Sequence, residues 1–331
     1  MDVIFRQSVK FHSWYNCSFY SVDQVPLEKR QHVGYGVGII LMGLFFESLY
    51  APCVYALLHK ELFKNFCYKL ILIMAVFEMC LLPLTCIIPG YFSINGYMYC
   101  SSPKLQLFSG IAVFSLWIAY SVTCFILSLN RCLAQTNSLG QIFEGRNAER
   151  FWLGLPFVVL ILVAIFCQPS FFSSIHGAYF FNPHAGYFED TQNKYPTAMH
   201  LINNLGFAIV MPTMYLIYFI TNIYWSKQVM RKLSARELSL FIQVLVINGV
   251  LAMTSTLYVM SQYIHVPEEL TYTSHLIWAL TEGVAPIVWL TMNVSIRRIV
   301  FRQPATSVVA MSTNQRTNQS VEATDSANGK S

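Results

Sequence analysis

Seven apolar stretches, each long enough to cross a bilayer as a helix, leave this chain few ways to fold. They fall at 34–58, 69–90, 105–130, 151–172, 201–225, 237–263 and 272–293. A span needs about 20 apolar residues, and in lipid a helix satisfies its own backbone hydrogen bonds without closing a barrel. Pro52, Pro83, Pro156, Pro212 and Pro286 lie inside these stretches. Membrane helices tolerate such prolines because neighbouring helices and hydroxyl side chains take up the freed carbonyls. Only 11% of the 331 residues are charged and 55% are hydrophobic, against about a quarter charged in a soluble domain. The expectation is an all-α membrane protein, a seven-transmembrane bundle, with no length left for a separate soluble domain.

Orientation follows from the basic residues in the connections. Segments 59–69, 131–150, 226–236 and 294–331 hold fifteen Lys and Arg, whereas 91–104, 173–200 and 264–271 hold two. The first set is expected in the cytoplasm, which places the N-terminus outside and the protein in the plasma membrane as a multi-pass chain. The formal charge of +5 is spread over these short loops, so it reads as a topology signal and not as a nucleic-acid surface. No basic-then-apolar leader opens the sequence, so the first span is expected to serve as its own insertion signal. The resulting division is an extracellular tail over 1–33, the bundle over 34–293, a juxtamembrane helix over 294–303 and a disordered cytoplasmic tail over 304–331. Ile296, Ile299 and Val300 share one helical face beside Arg297, Arg298 and Arg302, which suggests an amphipathic helix on the inner leaflet.

Of nine cysteines, only Cys17 and Cys100 fall on the expected outer side, where disulfides persist. They are expected to pair, the alternative being two free thiols. Asn16-Cys17-Ser18 is a glycosylation signal on that same side, with Asn16 the acceptor.

Asn130-Arg131 closes the third span. Arg131 there suits a contact with a signalling partner once the helices open inward; the plainer alternative is an ordinary positive-inside arginine. Pro286 and Trp289 near the end of the seventh span suit a swinging inner half-helix, or simply a structural kink. Three carboxylates, Glu47, Glu78 and Glu282, are placed near mid-membrane with no deep Lys or Arg to neutralise them. An intramembrane acid costs about 2.5–3.5 kcal/mol on insertion scales, and like charges repel, so at least one is expected to keep its proton. Glu78 and Glu282 form a candidate cluster for a proton or sodium ion; the alternative is neutral acids hydrogen-bonded within the bundle. Trp117, Tyr120, Gln262, Tyr263 and His275 are candidates to line a ligand pocket, although aromatic residues in spans more often pack or mark the interface.

Enzyme-like features fail on inspection. Gly34-Tyr35-Gly36-Val37-Gly38 opens a membrane span and follows no strand, so close helix packing is its expected use. The eight histidines show no His-Glu-x-x-His spacing and no Cys-x-x-Cys occurs, so neither metal nor cofactor is expected. The seventh span has no lysine for a retinal Schiff base.

Tyr15-Asn16-Cys17-Ser18, Gly43 with Leu49-Tyr50-Ala51-Pro52, and Cys67-Tyr68-Lys69-Leu70 stand in a recurring order along the spans. Cys100 with Pro103, Leu129-Asn130-Arg131, and Pro286 with Leu290, Asn293 and Ile296-Arg297 complete it. In these residues the chain resembles the nematode serpentine chemoreceptors of class T, a branch of the G-protein-coupled receptors, from about Tyr15 to Arg298. The resemblance implies a GPCR-like bundle on a sensory cilium that binds a small external molecule and signals through a heterotrimeric G protein. It implies Arg131 as the coupling residue and Pro286 as the switch. Asn130 replaces the acid common beside that arginine, span six lacks Cys-Trp-x-Pro, 173–200 has no cysteine to meet Cys100, and Glu78 stands where aspartate is usual. Two further readings compete: a small transporter or channel using Glu47, Glu78 and Glu282, and a membrane-embedded enzyme. The first would show internal repeats and the second clustered His, Asp or Ser at one depth; the sequence displays neither pattern.

Overall fold

A computed structural model describes residues 13–302 except 19, 134–139, 189, 191–193, 196, 229–234 and 264–266, and except the side chains of 222, 225–228, 235–241, 244 and 261–263. The sequence-expected tail over 304–331 lies outside the described residues.

Among the described residues seven long helices form the bundle. α1 is Val33–Leu57. α2 runs Phe66–Leu82, passes through a π-helical turn at Pro83–Ile87 and continues as Ile88–Asn95. α3 is Pro103–Leu133 and α4 Arg146–Phe166. α5 joins Ala198–Leu205, a second π-helical turn at Gly206–Val210, and Met211–Gln228. α6 is Ala235–Tyr263, α7 Glu268–Met292 and the short α8 Val294–Val300. Six of the long helices are apolar over a full membrane width; in α6 the apolar part is the shorter Leu245–Met260. Chain identity of the spans matches the sequence expectation, with helix ends shifted by a few residues.

The fourth span is the exception. It was expected to reach residue 172, but α4 stops at Phe166 and Cys167 is extended, with ψ 158°. Pro169 explains the stop, because the residue before a proline is pushed out of helical conformation. The apolar run beyond it forms an antiparallel hairpin instead, β1 Phe171–Ser173 with β2 Ala178–Phe180, pairing Phe172 with Tyr179. Its turn needs Gly177, whose φ of +61° is costly for any residue with a Cβ.

Helix packing uses small residues where lipid supplies no hydrophobic drive. A Cβ on Gly36 would stand 2.6 Å from the Gly90 carbonyl, and one on Gly43 would stand 2.5 Å from Cys86 Cβ, so α1 and α2 touch through these two glycines. Gly34 and Gly38, in the same glycine-rich opening, face open space. α4 is peripheral and turns Phe151, Phe157, Val158, Ile161, Leu162 and Phe166 outward, the surface a lipid-facing helix needs. α3 is central and buries Gln106, Ser109, Ser115, Thr123 and Ser128. Ser115 and Thr123 donate to carbonyls four residues back, at 2.7 and 2.8 Å, which satisfies them without a partner helix.

α8 is the short helix expected after the seventh span. Ile296 is fully buried, and Ile299 and Val300 pack with it in the cluster of Tyr50, Cys53 and Leu57 of α1. Val294 and Phe301 at its two ends stay exposed. Asn293 caps the helix by accepting from Ser295 N and Ile296 N at 3.1 and 3.2 Å, and Arg298 pairs with Glu61.

Candidate functional site

The bundle has two ends of different construction. At the end that carries the N-terminus, the hairpin folds over the helices and the segment after residue 13 folds over the hairpin. Gln106 of α3 brackets Phe172 like a strand, donating to its carbonyl and accepting from its N–H, both at 3.0 Å. α3 can approach so closely because Gly110 has no Cβ to meet the Ser170 carbonyl. Tyr35 donates to the Gly177 carbonyl at 3.1 Å, and the Tyr272 hydroxyl reaches the Ser174 carbonyl at 2.9 Å. Cys17 and Cys100 form a disulfide with Cα atoms 5.6 Å apart, next to the ring cluster of Tyr15, Tyr99 and Phe171. Exposed Asn16 precedes it, its side chain accepting from Ser18 N. His184 is buried between Tyr20, whose hydroxyl is 3.0 Å from Nδ1, and the Trp14 carbonyl, 2.9 Å from Nε2. Burial, followed by a weaker push from Lys194, holds this imidazole below its ordinary range.

Beneath the hairpin lies a cavity of about 40 Å³. Its floor is Trp117, stacked on Phe207 at 5.3 Å and edge-on to Trp278 at 5.9 Å. Tyr258 meets Trp278 at 5.3 Å, and Phe114 and Phe181 close one side, 5.3 Å apart. Helices α5, α6 and α7 add polar side chains: His200 and Asn204, Thr254 and Ser255, and Trp278.

Trp117 is the sequence candidate that lines this cavity. Tyr120 is buried one turn deeper, where its hydroxyl engages the Glu78 carboxyl. His275 is fully buried but committed, with Nε2 2.9 Å from the Thr85 carbonyl in the π-helical turn and Nδ1 3.0 Å from the Tyr258 hydroxyl. It braces the pocket wall from behind. The side chains of Gln262 and Tyr263 lie outside the described residues. Asn204, Ser255, Tyr258 and Trp278 were not singled out from sequence. Signals existed: Asn203-Asn204 is an amide pair inside an apolar span, and Trp278 lies one turn after His275 on the same face of α7.

Between the two ends sit the acids. Glu78 and Glu282 are buried, 2% and 1% exposed, whereas Glu47 is half-buried at the bundle edge. Thr85 Oγ1 donates to Glu282 Oε2, and Tyr50 donates to the Glu282 backbone carbonyl at 2.7 Å. One oxygen of each buried acid, Glu78 Oε2 and Glu282 Oε1, has no hydrogen-bond partner. Among the described residues no group of three potential metal-binding side chains is found.

The opposite end holds the larger space of the two. A cavity of about 360 Å³ enters it, bordered by Arg131 and Tyr215 on one side and Trp289 and Asn293 on another. The Arg131 guanidinium lies beside Cys67, Tyr218, Tyr215 and Tyr68, ring and thiol neighbours with no carboxylate among the described residues. Ser128 donates to the Tyr215 hydroxyl at 2.8 Å, tying α3 to α5. Asn130 is half-buried beside this cavity without lining it. Pro286 is buried within α7, its carbonyl 3.9 Å from Cys53 Sγ, and Trp289 stands edge-on to Tyr50 at 6.1 Å.

Comparison with known proteins is consistent with this geometry. A family model described as "Serpentine type 7TM GPCR chemoreceptor Srt" matches residues 1–313. A relative from Caenorhabditis elegans, "Serpentine receptor class T-55", is 22% identical over 289 residues, covering 86% of this chain and 78% of its own length.

Proposed function

We propose that this chain, which belongs to the Srt family of serpentine seven-transmembrane chemoreceptors, binds a small external molecule beneath the hairpin and activates a heterotrimeric G protein at the opposite end. The observation that carries the reading is the cavity of about 360 Å³ at that end, with Arg131 on its wall beside tyrosines and a thiol and, among the described residues, no carboxylate. A cation so placed is available to backbone carbonyls at the end of an entering helix, where the dipole favours positive charge.

Orientation in this reading puts the N-terminus, the Cys17–Cys100 disulfide and Asn16 outside the cell, at the plasma membrane and, by family, in a sensory cilium. The excess of Lys and Arg in segments 59–69, 131–150, 226–236 and 294–331 supports it. Trp289 borders the inner cavity three residues after Pro286. Movement of the α7 segment below that proline would change the cavity directly, which suits a switch. Glu78 and Glu282 occupy the layer between the cavities, and their unpartnered oxygens suit a proton or cation that shifts on activation.

The test is ligand-driven nucleotide exchange on a G protein in membranes carrying the full chain. Arg131→Ala is expected to bring exchange to background with surface expression retained; exchange at wild-type rate would remove Arg131 from the mechanism. Glu78→Gln and Glu282→Gln are expected to alter ligand-free exchange, and wild-type behaviour of both would end the switching role of the acids. An epitope before Gly34 should be reachable on intact cells and one after Arg316 should not, and the reverse pattern would put the coupling face on the wrong side.

A further inference from the structure

The cavity beneath the hairpin has a chemistry of its own. Three polar atoms on its walls lack any hydrogen-bond partner: Asn204 Nδ2, Ser255 Oγ and Trp278 Nε1. Their residues are 2%, 1% and 7% exposed, so bulk water does not satisfy them. A buried donor left unmet costs roughly 1–3 kcal/mol, and native structures retain few such groups. Here three helices each contribute one to a single small space. An indole N–H donates only, an amide NH₂ donates only, and a hydroxyl can donate. The complement of such a set is an acceptor.

The remaining walls narrow the choice. Trp117, Phe114 and Phe181 present ring surface, which favours an apolar body. None of the lining residues is Asp, Glu, Lys or Arg, and the one imidazole, His200, is buried with its ring against Phe114 and Phe181, so a charged group would enter without a fixed counter-charge, at a cost far above that of a neutral one. The volume of about 40 Å³ corresponds to a few waters, each needing roughly 10–15 Å³, which admits a small molecule and not a peptide.

We infer that this pocket takes a small uncharged molecule bearing a carbonyl oxygen or an equivalent acceptor, held by the Trp278 indole N–H and the Asn204 amide, with its apolar body on Trp117 and Phe114. The inference rests on the reading of this cavity as the ligand site. It goes further in naming the ligand's chemistry.

Matched probes of four heavy atoms, small enough for this volume, separate the possibilities: acetone, 2-methylpropane, isopropylamine and acetate, each added to the purified full chain while its thermal midpoint is followed. Acetone is expected to raise the midpoint most and the two ions least. Trp278→Phe and Asn204→Leu are expected to weaken acetone by roughly fivefold to tenfold, the effect of one hydrogen bond, and to leave 2-methylpropane unchanged. Ser255→Ala, a smaller change, is expected to weaken it in the same direction, and each variant's midpoint without probe reports its folding. Equal response to ketone and hydrocarbon, stronger response to either ion, or ketone binding that ignores all three variants would overturn the inference. So would the failure of an extended series of small ketones and esters to raise the midpoint. Ketone binding that depends on Trp278 but never drives nucleotide exchange would leave the inference standing and sink the receptor reading. Exchange driven by the charged probes would do the reverse.

Discussion

The two ends of the bundle differ in how they are closed. The N-terminal end is stapled in three layers: a disulfide, a hairpin bracketed by Gln106, and an N-terminal segment held by His184 and by Tyr187, which donates to the Val22 carbonyl at 2.6 Å. The cavity it covers is about one-ninth the size of the one at the other end, 40 against 360 Å³. At the opposite end the contacts among the described residues include Gln243 donating to the Met292 carbonyl at 3.2 Å and the Lys69–Glu149 pair. Under the proposed function, this asymmetry suits a protein that reports a small ligand by moving its far end.

Loosening the stapled end should therefore cost far more than loosening the other. Cys100→Ser removes a cross-link spanning 83 residues and is expected to cost roughly 2–5 kcal/mol, read as a lower thermal midpoint and reduced surface expression; an unchanged midpoint would mean that the hairpin and N-terminal segment hold without it. Gly110→Val should come next, at about 1–3 kcal/mol from forced overpacking. It drives the Ser170 carbonyl off α3, and amide exchange should rise in the hairpin before it rises elsewhere. At the opposite end, Asn293→Ala strips the cap from α8 and should cost about 1 kcal/mol, with faster exchange confined to residues 294–300. If the Asn293 variant destabilised the protein as much as the Cys100 variant, the contrast between the ends would be lost.

The smallest effect is one of pH. His184 is held below its ordinary value of 6.5 by burial, so the folded protein favours the neutral ring. Its contribution to stability is complete above about pH 6.5 and is lost as pH falls through the lowered folded value. The thermal midpoint should decline on acidification below that point, and His184→Gln should flatten the decline. Equal slopes in both proteins would assign the pH dependence to other groups.

Much of the frame was legible in the chain. Span count, helix identity and the absence of deep cations all follow from apolar run length, because lipid forces the backbone to satisfy itself locally. The hairpin was not legible. Phe171, Phe172, Tyr179 and Phe180 are apolar enough to read as span or loop, and their strand pairing depends on Gln106, which lies 66 residues away from Phe172. Among the candidates with described side chains, the pocket was legible only at Trp117. Tyr120 and His275 are equally aromatic or polar on the same spans, yet their partners, Glu78 and the Thr85 carbonyl, draw them away from the cavity.

Apolar length, proline placement and the bias of basic residues thus determined the number of crossings and the kind of element that makes them, since both are properties of consecutive residues against a bilayer. Which side chains are left with unmet donors was decided by tertiary structure alone. Asn204, Ser255 and Trp278 belong to three helices, and whether each finds a partner depends on the distances between those helices. No single segment encodes those distances.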